Sequence, residues 1–263
     1  MLSVASWNVN GIRACHNKGA LTAYLEEMAP DIVGLQEIKA DEAALPEELI
    51  NPCGYYSIYH SAERKGYSGV GILTKHKPRN VVYGFGNPRF DCEGRVVAAE
   101  FDDFIFFSVY FPNGQSGPER LAYKLDFYRA FFDHCDELRA LGKHVVIAGD
   151  YNTAHHEIDL ARPKDNEDTS GFLPIEREWL DRIVRAGYVD TFRAFHPQPH
   201  EYSWWSFRSG ARQRNVGWRI DYVFVDEGLM PRVKEAYIQQ KVLGSDHCPV
   251  GISLSSVHSG VNH

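Results

Sequence analysis

Pairs of polar side chains follow two apolar runs of the sequence at a spacing that places both members on one face. Asn8 and Asn10 end the first apolar run, and Asp150 and Asn152 follow Val145–Ala148. Because residues i and i+2 of a strand point to the same face, two strand ends can aim four polar groups into one cleft. The same pairs are also typical of Asx turns, in which the side chain only bonds its own backbone. Both interpretations stay open at this point.

Two carboxylates are placed where a hard metal cation could bind. Glu37 follows the apolar run Asp31–Leu35, and a buried charge there needs a partner. It is either a solvated residue at a strand end or a Mg²⁺ ligand, since Mg²⁺ takes one or two carboxylates beside waters and phosphate oxygens. Asp150 ends a hydrophobic strand, where its pKa can be tuned, and Gly149 predicts a tight turn there. Asn152 can hold a phosphate oxygen or an attacking water.

A histidine near the C-terminus has a candidate carboxylate partner. Asp246 precedes His247, but neighbours in a strand point to opposite faces, so Asp246 is a poor orienter. Asp221, on another predicted strand, suits this role better, because a carboxylate on one ring nitrogen fixes the tautomer and favours the imidazolium. His247 then either stabilises a phosphate or only satisfies a buried carboxylate. Tyr110, ahead of a Pro-Asn-Gly turn, either donates its hydroxyl to a phosphate or closes the core.

Taken together, these side chains favour one type of reaction. Carboxylates, amides, a phenol and an imidazole stand at five strand ends, as Asn8, Glu37, Tyr110, Asp150, Asn152, Asp221, Asp246 and His247. The sequence has no Ser nucleophile elbow, no Cys/His pair at a useful spacing and no P-loop lysine. The set therefore indicates metal-assisted attack of water on a phosphodiester.

The elements that would position these residues are mostly strands. Runs separated by Gly, Pro and Asn turns predict strands at Ser3–Val9, Asp31–Leu35, Tyr55–His60, Val70–Thr74, Val81–Tyr83, Arg95–Phe101, Ile105–Phe111, Val145–Ala148, Ile220–Val225 and Val250–Leu254. Helices are predicted at Gly19–Met28, Glu119–Arg139 and Ile175–Ala186. The apolar face of the second helix would be Leu121, Leu125, Tyr128, Phe132 and Cys135. The mixture predicts an α/β (α+β) fold with two packed β-sheets and helices outside.

The composition is that of a globular protein. Among 263 residues, 44% are hydrophobic and 24% charged, which excludes a disordered chain, a collagen and a coiled coil. No run reaches the length of a membrane span, and no signal peptide is expected. Five scattered cysteines form neither a zinc pattern nor a disulfide framework, which favours a cytoplasmic location. We predict one domain over residues 1–255, a disordered tail over 256–263, no membrane association and a monomer.

The basic residues are distributed in a way that favours nucleic acid despite a net charge of −7. Residues 206–220 contain no acid but four arginines, Arg208, Arg212, Arg214 and Arg219. Four aromatic residues interleave with them, namely Trp204, Trp205, Phe207 and Trp218. Arginines contact phosphates, and aromatic rings can hold a flipped sugar. The alternative is a solvated basic loop beside core tryptophans.

Nine short motifs occur in order between residues 3 and 254. They are Ser6-Trp7-Asn8, Gln36-Glu37, Tyr67-Ser68-Gly69-Val70, Glu93-Gly94-Arg95-Val96, Tyr110-Phe111-Pro112-Asn113, Gly149-Asp150-Tyr151-Asn152, Ala154–Pro163, Gly217-Trp218-Arg219-Ile220-Asp221-Tyr222 and Gly244–Val250. This ordered set resembles the exonuclease III family of apurinic/apyrimidinic (AP) endonucleases. The resemblance implies a four-layered sandwich of two mixed β-sheets flanked by helices, the endonuclease/exonuclease/phosphatase fold.

The resemblance also implies an activity. It is Mg²⁺-dependent DNA repair, with Mn²⁺ as a substitute metal, by hydrolysis of the phosphodiester 5′ to an abasic site in duplex DNA. The product carries a 3′-OH. Many members also remove 3′-blocking groups and degrade duplex DNA from its 3′ ends.

By the same resemblance, the site residues take roles. Glu37 would be the principal Mg²⁺ ligand, Asp150 would align or deprotonate the attacking water, and Asp221 would orient His247. The positioners of phosphate and nucleophile would be Asn8, Tyr110, Asn152 and His247. The metal surroundings would comprise Glu37, Asn8, Asp150, Asn152, Asp246 and His247. The DNA and abasic-pocket residues would be Arg13, Lys18, Tyr67, Arg95, Asn166, Trp204, Arg208, Asn215, Trp218 and Ile220.

Departures from the family pattern bear on which substrate is preferred. Asn10 stands where some relatives carry Asp, and Gln115-Ser116-Gly117 lacks an Arg that some relatives place after the Pro-Asn-Gly turn. The loop Asp165–Gly171 is acidic, but Ser170-Gly171 is small and leaves room for duplex past the lesion. The main alternative keeps the same chemistry but changes the substrate, as a 3′-end-processing exonuclease or 3′-phosphatase with weak AP incision. The small residues Ser170-Gly171 favour internal cleavage over this alternative. A DNA-binding module without catalysis, or a phosphoesterase of lipids, fits the residues less well.

Overall fold

The computed structural model describes residues 1–255, so the predicted tail at 256–263 lies outside the described residues. The strands are β1 Leu2–Asn8, β2 Ile32–Gln36, β3 Tyr56–His60, β4 Val70–Thr74, β5 Asn80–Tyr83, β6 Val96–Glu100, β7 Ile105–Tyr110, β8 Val145–Asp150, β9 Tyr188–Asp190, β10 Trp204–Trp205, β11 Gly217–Trp218, β12 Asp221–Asp226, β13 Val233–Ile238 and β14 Val250–Leu254. The α-helices are α1 Ile12–Asn17, α2 Ala20–Glu27, α3 Pro88–Asp91, α4 Pro118–Ala140, α5 Pro174–Arg185 and α6 Thr191–Phe195. Short 3₁₀ turns lie at Glu42–Ala44, Glu47–Leu49, Pro52–Gly54, Glu157–Asp159, Pro163–Asn166, Arg208–Gly210 and Met230–Arg232.

Two six-stranded mixed sheets form the centre of the fold. Their strand orders are β13-β14-β1-β2-β4-β3 and β5-β6-β7-β8-β12-β9. Within each sheet one neighbouring pair is parallel, β1 with β2 and β7 with β8, and the other pairs are antiparallel. A separate two-stranded ribbon pairs β10 with β11. The predicted mixed sheets are confirmed.

The hydrophobic core has three layers, which correspond to a four-layered sandwich. The middle layer packs one sheet on the other, with Ile72 and Ile252 facing Val97 and Phe106. One outer layer lies between the second sheet and α4 and α5, and it is dominated by aromatic rings such as Phe111. The other lies between the first sheet and helices α1 and α2. Strands covered on both faces read as continuous apolar runs, which is why the sequence revealed them.

The ten predicted strands are all present, with ends that differ by at most a few residues. Four others were missed. Three of them are only two or three residues long, and the fourth, β13, carries a register shift between Val233 and Glu235 that breaks the two-residue alternation. The described part of the chain contains no helix both long and apolar enough to cross a bilayer.

One local prediction was wrong and another held only in part, each for a physical reason. Gly149 lies inside β8 rather than in a turn, and a Cβ there would come within 1.8 Å of the Val109 carbonyl oxygen. The glycine therefore permits a close approach of two strands. On α4 the predicted face residues Tyr128, Phe132 and Cys135 are buried, but Leu121 and Leu125 are only half-buried and Lys124 is fully buried.

Candidate active site

The topology brings the predicted chemical groups to one edge of the sandwich. Asn8 ends β1, Glu37 follows the parallel strand β2, and Asp150 ends β8. The carboxyl ends of parallel strands meet at one edge, and antiparallel partners begin there. Asp221 therefore opens β12 directly opposite Asp150 in register, and His247 lies just before β14, which pairs with β1.

Asn8 links the two carboxylates. Its side-chain Nδ2 donates to Glu37 Oε1 at 3.0 Å and to Asp150 Oδ2 at 2.9 Å. Ligand atoms of Glu37, Asp150 and His247 all lie within 4.8 Å of one another. Glu37 also has a φ of +50°, a conformation that costs a non-glycine residue about 1–3 kcal/mol and is concentrated at functional sites. Two carboxylates at this separation form a donor set that fits a divalent cation.

The predicted Asp221–His247 pair is present in the structure. His247 Nδ1 lies 2.8 Å from Asp221 Oδ2, and its other ring nitrogen, Nε2, lies 3.8 Å from Asp150 Oδ2. Burial alone would lower the pKa of His247, but the charges of Asp221 and Asp150 raise it to about 10. The imidazole is therefore cationic at neutral pH. Ser203, which the sequence reasoning did not single out, donates to Asp221 Oδ2 at 2.6 Å.

The surroundings of Asp150 shift the pKa of its carboxyl group towards neutrality. Burial raises its pKa, Asp221 and Glu37 raise it further, and His247 opposes them, which gives about 7. A pKa near neutrality suits a group that accepts a proton at physiological pH. A divalent cation beside Glu37 would favour the ionised form of this carboxylate.

Both polar pairs that opened the sequence analysis make Asx turns, and of their four residues Asp150 and Asn152 also line the cleft. The Asn10 backbone N–H donates to Asn8 Oδ1 at 2.9 Å, and the Asn152 N–H donates to Asp150 Oδ1 at 2.8 Å. The Asn8 oxygen therefore faces the Asn10 N–H, and its amide presents N–H groups to the two carboxylates. That Asn8 belongs to the metal surroundings stays a prediction.

Asp246 lines the same cleft, and both of its carboxylate oxygens accept hydrogen bonds from neighbouring side chains. Its Oδ1 accepts from Asn10 Nδ2 at 3.0 Å, and its Oδ2 accepts from Trp204 Nε1 at 3.0 Å. The Glu37 carboxylate forms an ion pair with Lys39, whose Nζ lies 2.9 Å from Glu37 Oε2. Sequence reasoning missed Lys39, although its i+2 spacing from Glu37 was a usable signal.

The guanidinium of Arg95 packs against the ring of Tyr110. The Arg95 guanidinium lies 4.7 Å from the centre of the Tyr110 ring and donates to the Tyr110 carbonyl and to the Tyr67 hydroxyl. Arg95 is only 2% exposed. The prediction that Arg95 contacts DNA therefore needs correction, because its guanidinium supports Tyr110 from inside the protein. Burial, with the neighbouring Glu37 charge, raises the pKa of Tyr110, so the phenol keeps its proton and can donate it in a hydrogen bond.

The site opens into a cleft of about 780 Å³. Its polar floor contains Glu37, Asp150 and His247, and its wall contains Trp204, Trp218 and Ile220 among other residues. The rings of Trp204 and Trp218 meet edge to face, with centroids 6.4 Å apart. A polar floor beside an aromatic wall suits a ligand with a charged group next to a sugar-sized apolar body.

The remaining predicted DNA residues divide between the cleft and its surroundings. Asn166 and Arg208 line the cleft, and Arg13 and Lys18 are exposed. Asn215 instead accepts from Trp205 Nε1 and donates to the His200 carbonyl. Arg162, which was not predicted, lines the cleft together with Asp165.

The basic segment 206–220 contributes fewer arginines to the surface than predicted. Arg219 is fully buried, with its guanidinium on Asp159 and Asp190. Arg212 donates to three backbone carbonyls, those of Ser245, Gln240 and Val242. Arg208 and Arg214 remain exposed. Counting the arginines in the sequence therefore overestimates the basic surface of this segment, because two of the four guanidinium groups bind buried carboxylates or backbone carbonyls.

Arg219→Met should destabilise the protein strongly. Arg219 lies between the wall residues Trp218 and Ile220, and its removal leaves Asp190 and part of the Asp159 charge unpaired inside the protein. Breaking a buried pair in this way costs about 3–5 kcal/mol of the free energy of unfolding. Urea unfolding measures the loss. The matched control Arg182→Met removes an exposed helical pair with Glu178 and should cost about 0.5 kcal/mol or less; equal losses in both variants would refute this role.

Comparison with known proteins identifies the family. The model of the Endonuclease/Exonuclease/phosphatase family matches residues 5–247. The chain belongs to this family. An exodeoxyribonuclease of Bacillus subtilis is 42% identical over 255 residues, covering 97% of this chain and all of the relative. Within the Endonuclease/Exonuclease/phosphatase family, the chain is therefore a nuclease and a hydrolase, as predicted.

Solved structures of the family superpose on almost the whole chain. An AP endonuclease from Archaeoglobus fulgidus gives a TM-score of 0.88 at 27% identity, covering 97% of this chain and all of that one. A 3′-5′ exonuclease, NExo, from Neisseria meningitidis gives 0.89 at 26% identity with the same coverage. The predicted endonuclease/exonuclease/phosphatase fold is confirmed.

Proposed function

We propose that this chain is a Mg²⁺-dependent AP endonuclease that hydrolyses the phosphodiester 5′ to an abasic site in duplex DNA and leaves a 3′-OH. The observation that carries the proposal is the combination of two carboxylates and the Asp221-bonded His247 on the floor of a cleft with an aromatic wall. An abasic nucleotide has no base to unstack, so it enters such a cleft at lower cost than a normal nucleotide. Five free cysteines accord with a cytoplasmic location, and we propose that the enzyme acts as a monomer.

Each floor residue has a role that its contacts support. Glu37 would hold the metal, which when bound offsets negative charge on the phosphate and on the leaving oxygen. Asp150 orients the attacking water and accepts its proton. His247, kept cationic by Asp221, binds a phosphate oxygen, and Tyr110 and Asn152 line the same cleft to bind others. Asn8, which is fully buried, holds Glu37 and Asp150 in place through its amide.

The second candidate is an enzyme that mainly trims 3′ ends or removes 3′-phosphate. The residues on the cleft floor could catalyse either internal incision or 3′-end processing. The residues around the floor must therefore determine which of the two substrates is preferred. Gly171 lies at the wall, where an added Cβ would come within 3.3 Å of the Trp218 ring and the Asn152 carbonyl oxygen. A side chain there would displace Trp218 or Asn152, so we propose that glycine at 171 keeps this part of the wall in place and leaves the cleft open to a duplex that continues past the lesion, which favours internal incision.

Product mapping tests the proposed function. A duplex with one stabilised abasic analogue is incubated with enzyme and Mg²⁺, and the ends are identified by mass spectrometry. We expect a single cut with a 3′-OH on the upstream strand and none in EDTA. A 3′-phosphate product, or equal cleavage in EDTA, would contradict the proposal.

Gly171→Phe should reduce internal incision much more than 3′-end trimming. The new side chain would press on Trp218 and the Asn152 backbone and displace the cleft wall, and misplacement of a substrate by about 1 Å can cost about 100-fold in rate. Incision of an internal analogue and trimming of a recessed end are compared in single-turnover assays. Gly142→Phe is the matched control, because Gly142 also has a positive φ but no atom within 4 Å of an added Cβ. Equal loss of both activities in Gly171→Phe would count against this placing of the duplex.

A further inference from the structure

A buried ion pair lies behind the cleft, outside the set of residues that the proposed mechanism uses. Lys124 on α4 and Glu176 on α5 are both fully buried, with Nζ 2.6 Å from Glu176 Oε1. Nothing in the sequence separates Lys124 from the exposed lysines of a helix, and a charged pair without any solvent contact is costly to bury. Such a pair is retained where its hydrogen bonds hold neighbouring groups in a required arrangement.

The lysine end of the pair holds the backbone of a cleft residue. Lys124 Nζ donates to the Asn152 carbonyl oxygen at 2.7 Å. The Asn152 N–H is taken by Asp150, and its side-chain Nδ2 donates to the Phe111 carbonyl at 2.9 Å. Asn152 also has a φ of +51°, so this left-handed conformation is fixed at three points, one of which is Lys124.

The glutamate end holds the opposite loop. Glu176 Oε2 accepts from the backbone N–H groups of Gly171 at 2.6 Å and Leu173 at 3.2 Å, and Oε1 accepts from Ser170 Oγ at 2.9 Å. The Gly171 carbonyl in turn accepts from the N–H of Ala154, two residues after Asn152. Both carboxylate oxygens are therefore needed, one facing Lys124 and Ser170 and the other facing the amides of the loop.

We infer that Lys124 and Glu176 are a positioning pair that sets the separation between Asn152 and the Gly171 wall, and that this separation selects duplex that continues past the lesion. The inference rests on the proposed function, since it assigns the substrate geometry of the same cleft. The pair does not touch substrate. It acts through the two loops that it joins, so its loss should weaken internal incision and spare reactions at a 3′ end, where no duplex has to pass Gly171.

Glu176→Gln is the most selective variant. The amide has nearly the shape of the carboxylate but one acceptor oxygen instead of two, so it cannot serve Lys124 and the Gly171 amide together. The double variant Lys124→Met/Glu176→Gln removes both charges, and it therefore leaves no unpaired buried charge to prevent folding. Glu100→Gln is the matched control, because Glu100 pairs with Lys143 at the surface.

Two measurements test the inference. In single-turnover assays with Mg²⁺, we expect both variants to lose about 30-fold in the rate of internal incision and less than about threefold in removal of a 3′-phosphate, with the control unchanged. In the free protein, hydrogen exchange of the Gly171 and Leu173 amides should accelerate about 100-fold in Glu176→Gln, while β8 keeps its protection.

The outcomes separate this inference from the proposed function. Equal losses in both activities would show a purely structural pair and overturn it, as would unchanged amide exchange. A wild-type enzyme that leaves the internal analogue intact would overturn the proposed function and, with it, the selection of continuous duplex. Amide exchange needs no DNA, so it would still decide whether the pair holds the loops.

Discussion

Replacing Asp150 with Asn should reduce phosphodiester cleavage by about 10³-fold, within the range that a general base contributes. Asp150 is buried and bonded to Asn8 Nδ2 at 2.9 Å, and its carboxylate lies 3.8 Å from His247 Nε2. The amide keeps the size of the side chain but cannot accept a proton from water. Affinity for abasic duplex should therefore remain within about threefold, since no phosphate contact is removed.

The measurement is a single-turnover rate on an internal abasic analogue, with affinity determined in EDTA. Asp133→Asn is the matched control, because Asp133 is an exposed aspartate on α4. A rate near wild type in Asp150→Asn would remove Asp150 from the mechanism. A large loss of DNA affinity in EDTA would instead assign Asp150 to substrate binding.

Asp221→Asn should be the second most damaging change, with a fall in kcat of about 10²-fold, comparable to the loss of one oxyanion-stabilising donor. Asp221 holds His247 through the 2.8 Å bond to Nδ1 and is the nearest negative charge that keeps the ring cationic. The neutral amide does not favour the imidazolium, so His247 would bind the transition-state phosphate less strongly.

A graded comparison checks this account of Asp221. Ser203→Ala removes the 2.6 Å hydrogen bond to Asp221 Oδ2 and the two bonds that Ser203 Oγ accepts from the backbone N–H groups of Ile220 and Asp221. It leaves the Asp221 charge beside His247, so its effect on kcat should be smaller, about tenfold or less. KM should change little in both variants if the lost interaction strengthens only in the transition state. A larger effect of Ser203→Ala than of Asp221→Asn would contradict the assignment.

The sequence predicted those parts of the molecule that depend on local pattern. Val70–Thr74 and Val250–Leu254 have the predicted ends as strands, because each is a short apolar run between turns. The Asp221–His247 pair followed from the face rule for strands together with the chemistry of imidazole. The family resemblance added the order of motifs, and the comparison with known proteins confirms it.

The parts that could not be predicted depend on contacts between distant segments. Arg95, Lys124 and Arg219 look like surface residues in the sequence, yet each is buried against acceptors from other elements. Their burial is decided by carboxylates or carbonyls that arrive only when the sheets and helices pack. Gly149 was misread for the same reason, since its neighbour is the Val109 carbonyl of an adjacent strand.

The most direct test of the central claim is a competition between two substrates in one reaction. Equimolar duplexes, one with an internal abasic analogue and one with a 3′-phosphate, carry different fluorophores and are incubated with wild-type enzyme and Mg²⁺. The ratio of product rates gives the ratio of kcat/KM values. We predict that the internal analogue is cut faster and that both reactions stop in EDTA. Preferential removal of the 3′-phosphate with the analogue left intact would contradict the account and make this chain a 3′-end-processing enzyme.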